Sequence, residues 1–156
     1  MKRERNKLLK VNIINTKYSG YIPSEYKISK WANKSFMKTS KCIVNLKLAK
    51  KDEINKLNKS YLKKNKDCNV LSFPLGFKLD TGQIILGDIV LCPMVVNHES
   101  KLFNIKYDNR WAHMIIHSML HLQGFTHNTK NAQTIMENKE KKYLAALGYP
   151  NPYNED

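Results

Sequence analysis

The chain has 156 residues and carries 27 Lys and Arg against 13 Asp and Glu, a formal net charge of +14. That length suits one domain, taken as residues 1–156, and an apolar share of 42% excludes a disordered polyelectrolyte. No apolar run approaches the ~20 residues of a membrane span and residues 1–10 lack a signal-peptide core, so a cytoplasmic globular protein with no membrane partner is expected.

Along the chain, residues 11–15 read as a first strand. Pro23, Ser24 and Glu25 then open a helix, with Ser24 placed to accept an N-terminal amide. Ile28, Trp31, Ala32, Ser35 and Phe36 follow on one helical face. Val44, Leu46 and Leu48 alternate with Asn45 and Lys47, as in a half-buried strand. Asp52 is expected to cap a second helix whose inner face is Ile54, Leu57, Tyr61 and Leu62. Two short apolar runs come next, residues 70–73 ended by Pro74 and residues 84–91, joined by a hairpin or a longer loop over 76–82. Pro93 suits the first turn of a third helix through Val95, Val96 and Leu102. A fourth helix is predicted over 108–123 and a fifth over 131–147, with Gly148 and Pro150 as the stop. The order β-α-β-α-β-β-α-α-α implies an α+β (α/β-like) layer, a small mixed four-stranded sheet covered by about five helices. Nothing repeats and no linker divides it. Cys42, Cys68 and Cys92 are an odd three without a CxxC pair, which excludes a disulfide framework and a Cys-rich zinc module.

The positive charge permits nucleic-acid binding without proving it. Of the 27 basic residues only Arg3, Arg5 and Arg110 are Arg, and the abundance of Lys, Asn and Ile is what AT-rich codons would leave by drift. Lysine holds phosphate as a point charge, whereas arginine is the better bidentate group.

Histidine is more informative. His113, His117, His121 and His127 fall within fifteen residues. His117 and His121 lie one turn apart on one helix face and can grip a single ion. Gly124 lets the chain turn back and bring His127 in as third ligand, so the metal site stands at the end of the fourth helix. The spacing H-x3-H-x2-G-x2-H suits a zinc site with three protein ligands and a fourth position open to water. His113 is a rival on spacing, but His113 and His121 lie about 12 Å apart along the axis at ~1.5 Å per residue, too far to share one ion with His117. His113 is therefore expected in the core or behind a ligand it orients, and His98 is expected to be an ordinary satisfied histidine. Ser118 stands where zinc proteases of similar spacing carry a general-base Glu, which argues against a conventional metalloprotease. A metal here is expected to activate water and polarise a phosphoryl or carbonyl oxygen, the alternative being a structural ion.

These residues resemble the YbeY endoribonucleases, bacterial rRNA maturation factors. The segment from His117 through Ser118, Met119, Leu120, His121, Leu122, Gln123, Gly124, Phe125 and Thr126 to His127 is similar to that family's H-G-x-L-H-L-x-G-Y-D-H signature. Asn69-Val70-Leu71-Ser72-Phe73-Pro74, Leu86-Gly87-Asp88-Ile89-Val90, Trp111-Ala112-His113-Met114 and the stretch from Ala146 to Tyr153 resemble further family blocks in the same order. The resemblance covers residues 55–153, with a looser fit before. It implies a zinc-dependent hydrolase, one Zn2+ per chain held by His117, His121 and His127, cutting single-stranded RNA in 16S rRNA 3′-end maturation and ribosome quality control. It also implies the small ribosomal subunit, its proteins and the Era GTPase as partners.

Three departures from the family pattern stand out. A family Tyr-Arg pair is Tyr61-Leu62 here, so a guanidinium expected to hold phosphate is missing, and Lys63 or Lys64 is left to supply charge. Thr126 replaces an Asp before the third His, and Ser118 replaces a Gly. Ser72 and Phe73 either line the cleft beside the metal or pack in the core. Asp88, flanked by apolar strand residues, needs a partner, either a helix end or a ligand histidine. The first expectation is thus a zinc-dependent endoribonuclease whose metal-bound water is the hydrolytic centre. The alternative is a ribosome-assembly binding factor with a structural zinc, and a zinc peptidase lacking its Glu ranks last.

Overall fold

A computed structural model describes residues 8–64 and 66–153. Its elements follow the expected order: β1 (Leu9–Ile14), α1 (Glu25–Lys34), β2 (Cys42–Leu48), α2 (Lys51–Leu62), β3 (Val70–Lys78), β4 (Ile84–Leu91), α3 (Pro93–Leu102), α4 (Tyr107–Leu122) and α5 (Lys130–Ala146). The four strands form one mixed α+β sheet in the order β1-β2-β4-β3, with β1, β2 and β4 parallel and β3 antiparallel to β4. No helix among the described residues is long and apolar enough to cross a membrane.

Alternation on β2 buries Cys42, Val44, Leu46 and Leu48 on one face. That face joins Leu9, Leu86, Ile89 and Leu91 and packs against Ile28 and Trp31 of α1 and Trp111, Ile115, Ile116 and Met119 of α4. Ten of the sixteen residues of α4 are buried, so this helix runs through the middle of the core and holds whatever it carries in a fixed place. On the other face α2 covers a smaller cluster of Ile54, Cys68, Leu71, Val90, Cys92 and Val95. All three cysteines are buried and unbridged.

Ser24 caps α1 as expected, accepting from the Lys27 amide at 3.2 Å. Asp52 does not cap α2. Lys50 is the cap residue and makes no side-chain bond, and Asp52 sits in the first turn, where its charge complements the helix dipole. The third strand continues through Pro74 to Lys78, pairing Pro74 with Gly87 and shifting register before Phe77. Proline is tolerated because β3 is an edge strand.

Asp88 lies on the side of the sheet away from α4 and reaches no histidine. The Asn45 amide donates to its Oδ1 at 3.2 Å, and the Asn12 amide donates to Asn45 Oδ1 at 3.1 Å, a polar ladder across β1, β2 and β4. The expected link from Asp88 to a ligand histidine or a helix end is therefore corrected: its partner is the neighbouring strand.

Gly87 is required by contact. A β-carbon there would stand 2.4 Å from the Phe73 carbonyl oxygen and 2.7 Å from Leu122 Cδ2. Backbone cannot yield as a flexible side chain can, so Gly87→Ala is expected to cost about 2 kcal/mol and lower Tm by roughly 5 °C. Thermal unfolding of the variant beside the native chain checks this, and an unchanged Tm would show that β3 can move away from α4.

Candidate metal centre

The end of α4 builds the site. Gln123 is the cap residue and Gly124 takes a φ of 98°, which a glycine adopts without strain. The Gly124 amide donates to the His121 carbonyl at 3.1 Å and the Phe125 amide to the Leu120 carbonyl at 3.1 Å, the paired bonds of a Schellman cap. This turn reverses the chain so that His127 faces His117 and His121. Their ring centroids are 4.5 Å apart for His117 and His121, 4.9 Å for His121 and His127, and 6.1 Å for His117 and His127. One ligand atom from each of the three lies within 4.8 Å of the others, so the group could hold a metal ion.

Hydrogen bonds fix which ring nitrogen of each helical ligand is free. His121 Nδ1 donates to the Phe125 carbonyl at 3.0 Å, so the cap that ends the helix also orients this ring. His117 Nδ1 donates to Glu140 Oε1 at 2.5 Å. With both protons on Nδ1, both Nε2 atoms present lone pairs, and these face each other at 3.0 Å. Two lone pairs so placed repel unless a cation lies between them. The spacing is close to the ~3.3 Å expected for two nitrogens about 2.05 Å from a tetrahedral ion, so the donor set fits zinc. Burial first, then the neighbouring His117, pushes the His121 imidazole down to about 4, which keeps it neutral and able to ligate at ordinary pH.

Behind His117 lies a support that sequence reasoning missed. Glu140 of α5 is 0% exposed. Besides His117 it accepts from the Tyr153 hydroxyl, and His113 Nε2 stands 3.5 Å from its Oε2. Burial alone would raise the Glu140 carboxyl, but the hydrogen bonds and charges of His113 and His117 outweigh it and hold the group at about 2. Burial, reinforced by Glu140, pushes the Tyr153 phenol well up, so Tyr153 stays a donor. A signal for Glu140 existed: Met136, Glu140 and Leu144 recur every four residues on the buried stripe of α5, an acid where apolar residues belong. His113, 6% exposed, lies in the core behind His117, where spacing had placed it.

A cleft of about 710 Å³ opens in front of the triad. His117, His121 and His127 share it with Ser72, Phe73 and Thr126, and Lys64 stands on its wall beside Tyr61 and Leu62. Lys63 ends α2 with a positive φ of 53° and is not a lining residue. His98 is exposed on α3 and does not line the cleft.

Comparison with known proteins decides the family. The family described as Endoribonuclease YbeY matches residues 12–148. The Endoribonuclease YbeY of Buchnera aphidicola subsp. Schizaphis graminum is 36% identical over 98% of this chain and 97% of its own. The chain belongs to the YbeY endoribonuclease family. The YbeY protein of Wigglesworthia glossinidia brevipalpis is 41% identical over 84% of this chain and 88% of its own. The solution structure of TM1509 from Thermotoga maritima, at 21% identity, shares the fold with a TM-score of 0.51 over 94% of this chain and all of that one.

Within a YbeY frame the departures acquire positions. Leu62 is 53% exposed and lines the cleft wall. Thr126 also lies in the cleft. Ser118 is fully buried and its hydroxyl has no partner among the described residues, a penalty of roughly 1–3 kcal/mol that a glycine would avoid.

Proposed function

We propose that this chain is a zinc-dependent, single-strand-specific endoribonuclease acting in 16S rRNA 3′-end maturation and ribosome quality control. The observation that carries the reading is the pair of imidazole lone pairs facing each other at 3.0 Å inside an open cleft of a YbeY-family chain. His117, His121 and His127 would hold one zinc per chain. When bound, the ion supplies Lewis acidity at a phosphoryl oxygen and brings the pKa of a coordinated water towards ~7.

The chain's own residues bind and orient the substrate. Lys64 and Lys66 put positive charge on the cleft wall, where an RNA backbone would pass. Tyr61, 67% exposed, meets the Phe73 ring edge-on with centroids 5.4 Å apart, and the two offer aromatic surface for unpaired bases. Bases held inside a duplex cannot stack there, which favours single strands. Family membership extends the proposal to the small ribosomal subunit, its proteins and the Era GTPase as partners, to a cytoplasmic location and to one domain over residues 1–156.

Leu62 favours a second reading, a ribosome-assembly factor whose zinc is structural, because at that point the cleft wall presents an apolar side chain instead of a guanidinium that would steady a phosphate in the transition state. One assay separates the two. Cleavage of a single-stranded rRNA fragment is measured for the native chain and Leu62→Arg, with chelator and after zinc is restored. The nuclease reading expects cleavage that chelator abolishes and zinc restores, and that rises in Leu62→Arg. RNA binding without chelator-sensitive cleavage would leave the assembly factor.

A further inference from the structure

Glu140, Tyr153, His113 and Arg110 form a chain of hydrogen bonds whose directions agree throughout. Arg110 can only donate, so its Nη1, 3.5 Å from His113 Nδ1, makes that nitrogen the acceptor. The His113 proton then sits on Nε2, which donates to the Tyr153 oxygen at 3.3 Å. The Tyr153 proton goes to Glu140 Oε2, and Glu140 Oε1 receives the His117 Nδ1 proton at 2.5 Å. Each step fixes the next, and the series ends by leaving His117 Nε2 bare towards His121. At its far end Arg110 is anchored on Glu99 at 3.2 Å, and Glu99 is also held by the Asn69 amide at 3.0 Å.

A carboxylate fully buried under a helix needs a reason, because removing it from water costs several kcal/mol unless donors replace that water. Here two of the groups that compensate it are a candidate metal ligand and a tyrosine whose other neighbour is a second histidine. We propose that Glu140, held by Tyr153 and His113, is a positioning residue for the metal centre: it fixes the tautomer and ring angle of His117 and strengthens it as a ligand. The inference rests on the metal-centre reading above. His113, His117 and Glu140 also lie close enough together to be weighed as a second metal site. Their polar atoms are instead spent on one another, on Tyr153 and on Arg110, and the one ring nitrogen left over, His117 Nε2, is turned towards His121 at 3.0 Å. The group is support, and the centre holds one ion.

The test is zinc affinity by competition with a chromophoric chelator, with the visible spectrum of the cobalt-substituted protein recorded alongside. Glu140→Gln keeps shape and an acceptor oxygen but loses the charge; it is expected to weaken zinc binding about 10–100-fold and to shift the cobalt bands. Tyr153→Phe, which keeps the ring and removes the donor, is expected to lose several-fold, and Glu140→Asp to recover part of the Glu140→Gln loss. Should Glu140→Gln fail to fold by circular dichroism, Tyr153→Phe carries the test on the same readouts. Lowered apoprotein stability with unchanged zinc affinity and cobalt spectrum would make Glu140 merely structural and overturn the inference while leaving the metal centre intact. Two metals per native chain, one lost in Glu140→Gln, would overturn it as well. A native chain that binds no zinc would overturn both this inference and the reading beneath it.

Discussion

Replacing His121 with alanine is expected to remove zinc retention and lower RNA cleavage by more than about 100-fold, the largest functional effect of any single substitution in this chain. His121 faces His117 at 3.0 Å and is held in place by the Phe125 carbonyl, so its loss leaves only two imidazoles, one of them on a loop. Two ligands neither retain zinc at low free concentration nor fix an open position on it. The helix cap is made by backbone amides and survives the change, so the variant should fold. His98→Ala, on an exposed face of α3, is the matched control and should alter neither metal content nor rate. Metal analysis and a cleavage assay on the two variants decide the matter, and full cleavage by His121→Ala would end the hydrolytic role assigned to the triad.

The second large effect is on stability in acid. The His121 imidazole is held at about 4 in the folded chain against an ordinary 6.5, so between those values the unfolded chain binds a proton that the fold refuses. Stability therefore falls as pH drops from 6.5 towards 4. Glu140 is held at about 2 against an ordinary 4.5. Its contribution is complete above 4.5 and is lost as pH falls through 2, so the two windows adjoin and have the same sign. Together they should remove on the order of a few kcal/mol from the metal-free protein. Denaturant unfolding of the metal-free chain at pH 7, 5.5 and 4 measures the first window. The same measurement continued down to about pH 2 covers the second, which Glu140→Gln should flatten, and a midpoint that does not move across a window would contradict the assignment made for it.

The helices and most strands were legible in the sequence because their signals are local. Ser24, Gly124 and Gly148 mark helix ends through their own backbone chemistry, and β2 shows its two faces by plain alternation. The triad was legible because its three histidines lie within eleven residues of chain and are joined by a turn that a glycine announces. What could not be read depends on partners far along the chain. Glu140 meets His117 across 23 residues, and Asp88 meets Asn45 across 43. Pro74 looks like a strand terminator until the sheet order places β3 at an edge, where its missing amide proton faces no neighbour. Local patterns determined the elements, and only packing revealed what stands behind the candidate metal ligands.

The asparagine ladder has a consequence for how the sheet avoids wrong pairings. Parallel strands joined by long crossovers must find their alignment without a tight turn to dictate it. A one-residue slip of β2 would turn Val44 and Leu46 out of the core and strand the Asp88 carboxylate without an amide, since Val44 or Leu46 would then stand opposite it. Asn12 and Asn45 would lose each other in the same slip. The three polar side chains thus act as a registration mark: they add little to the depth of the native minimum, and they raise the energy of the misaligned sheets next to it.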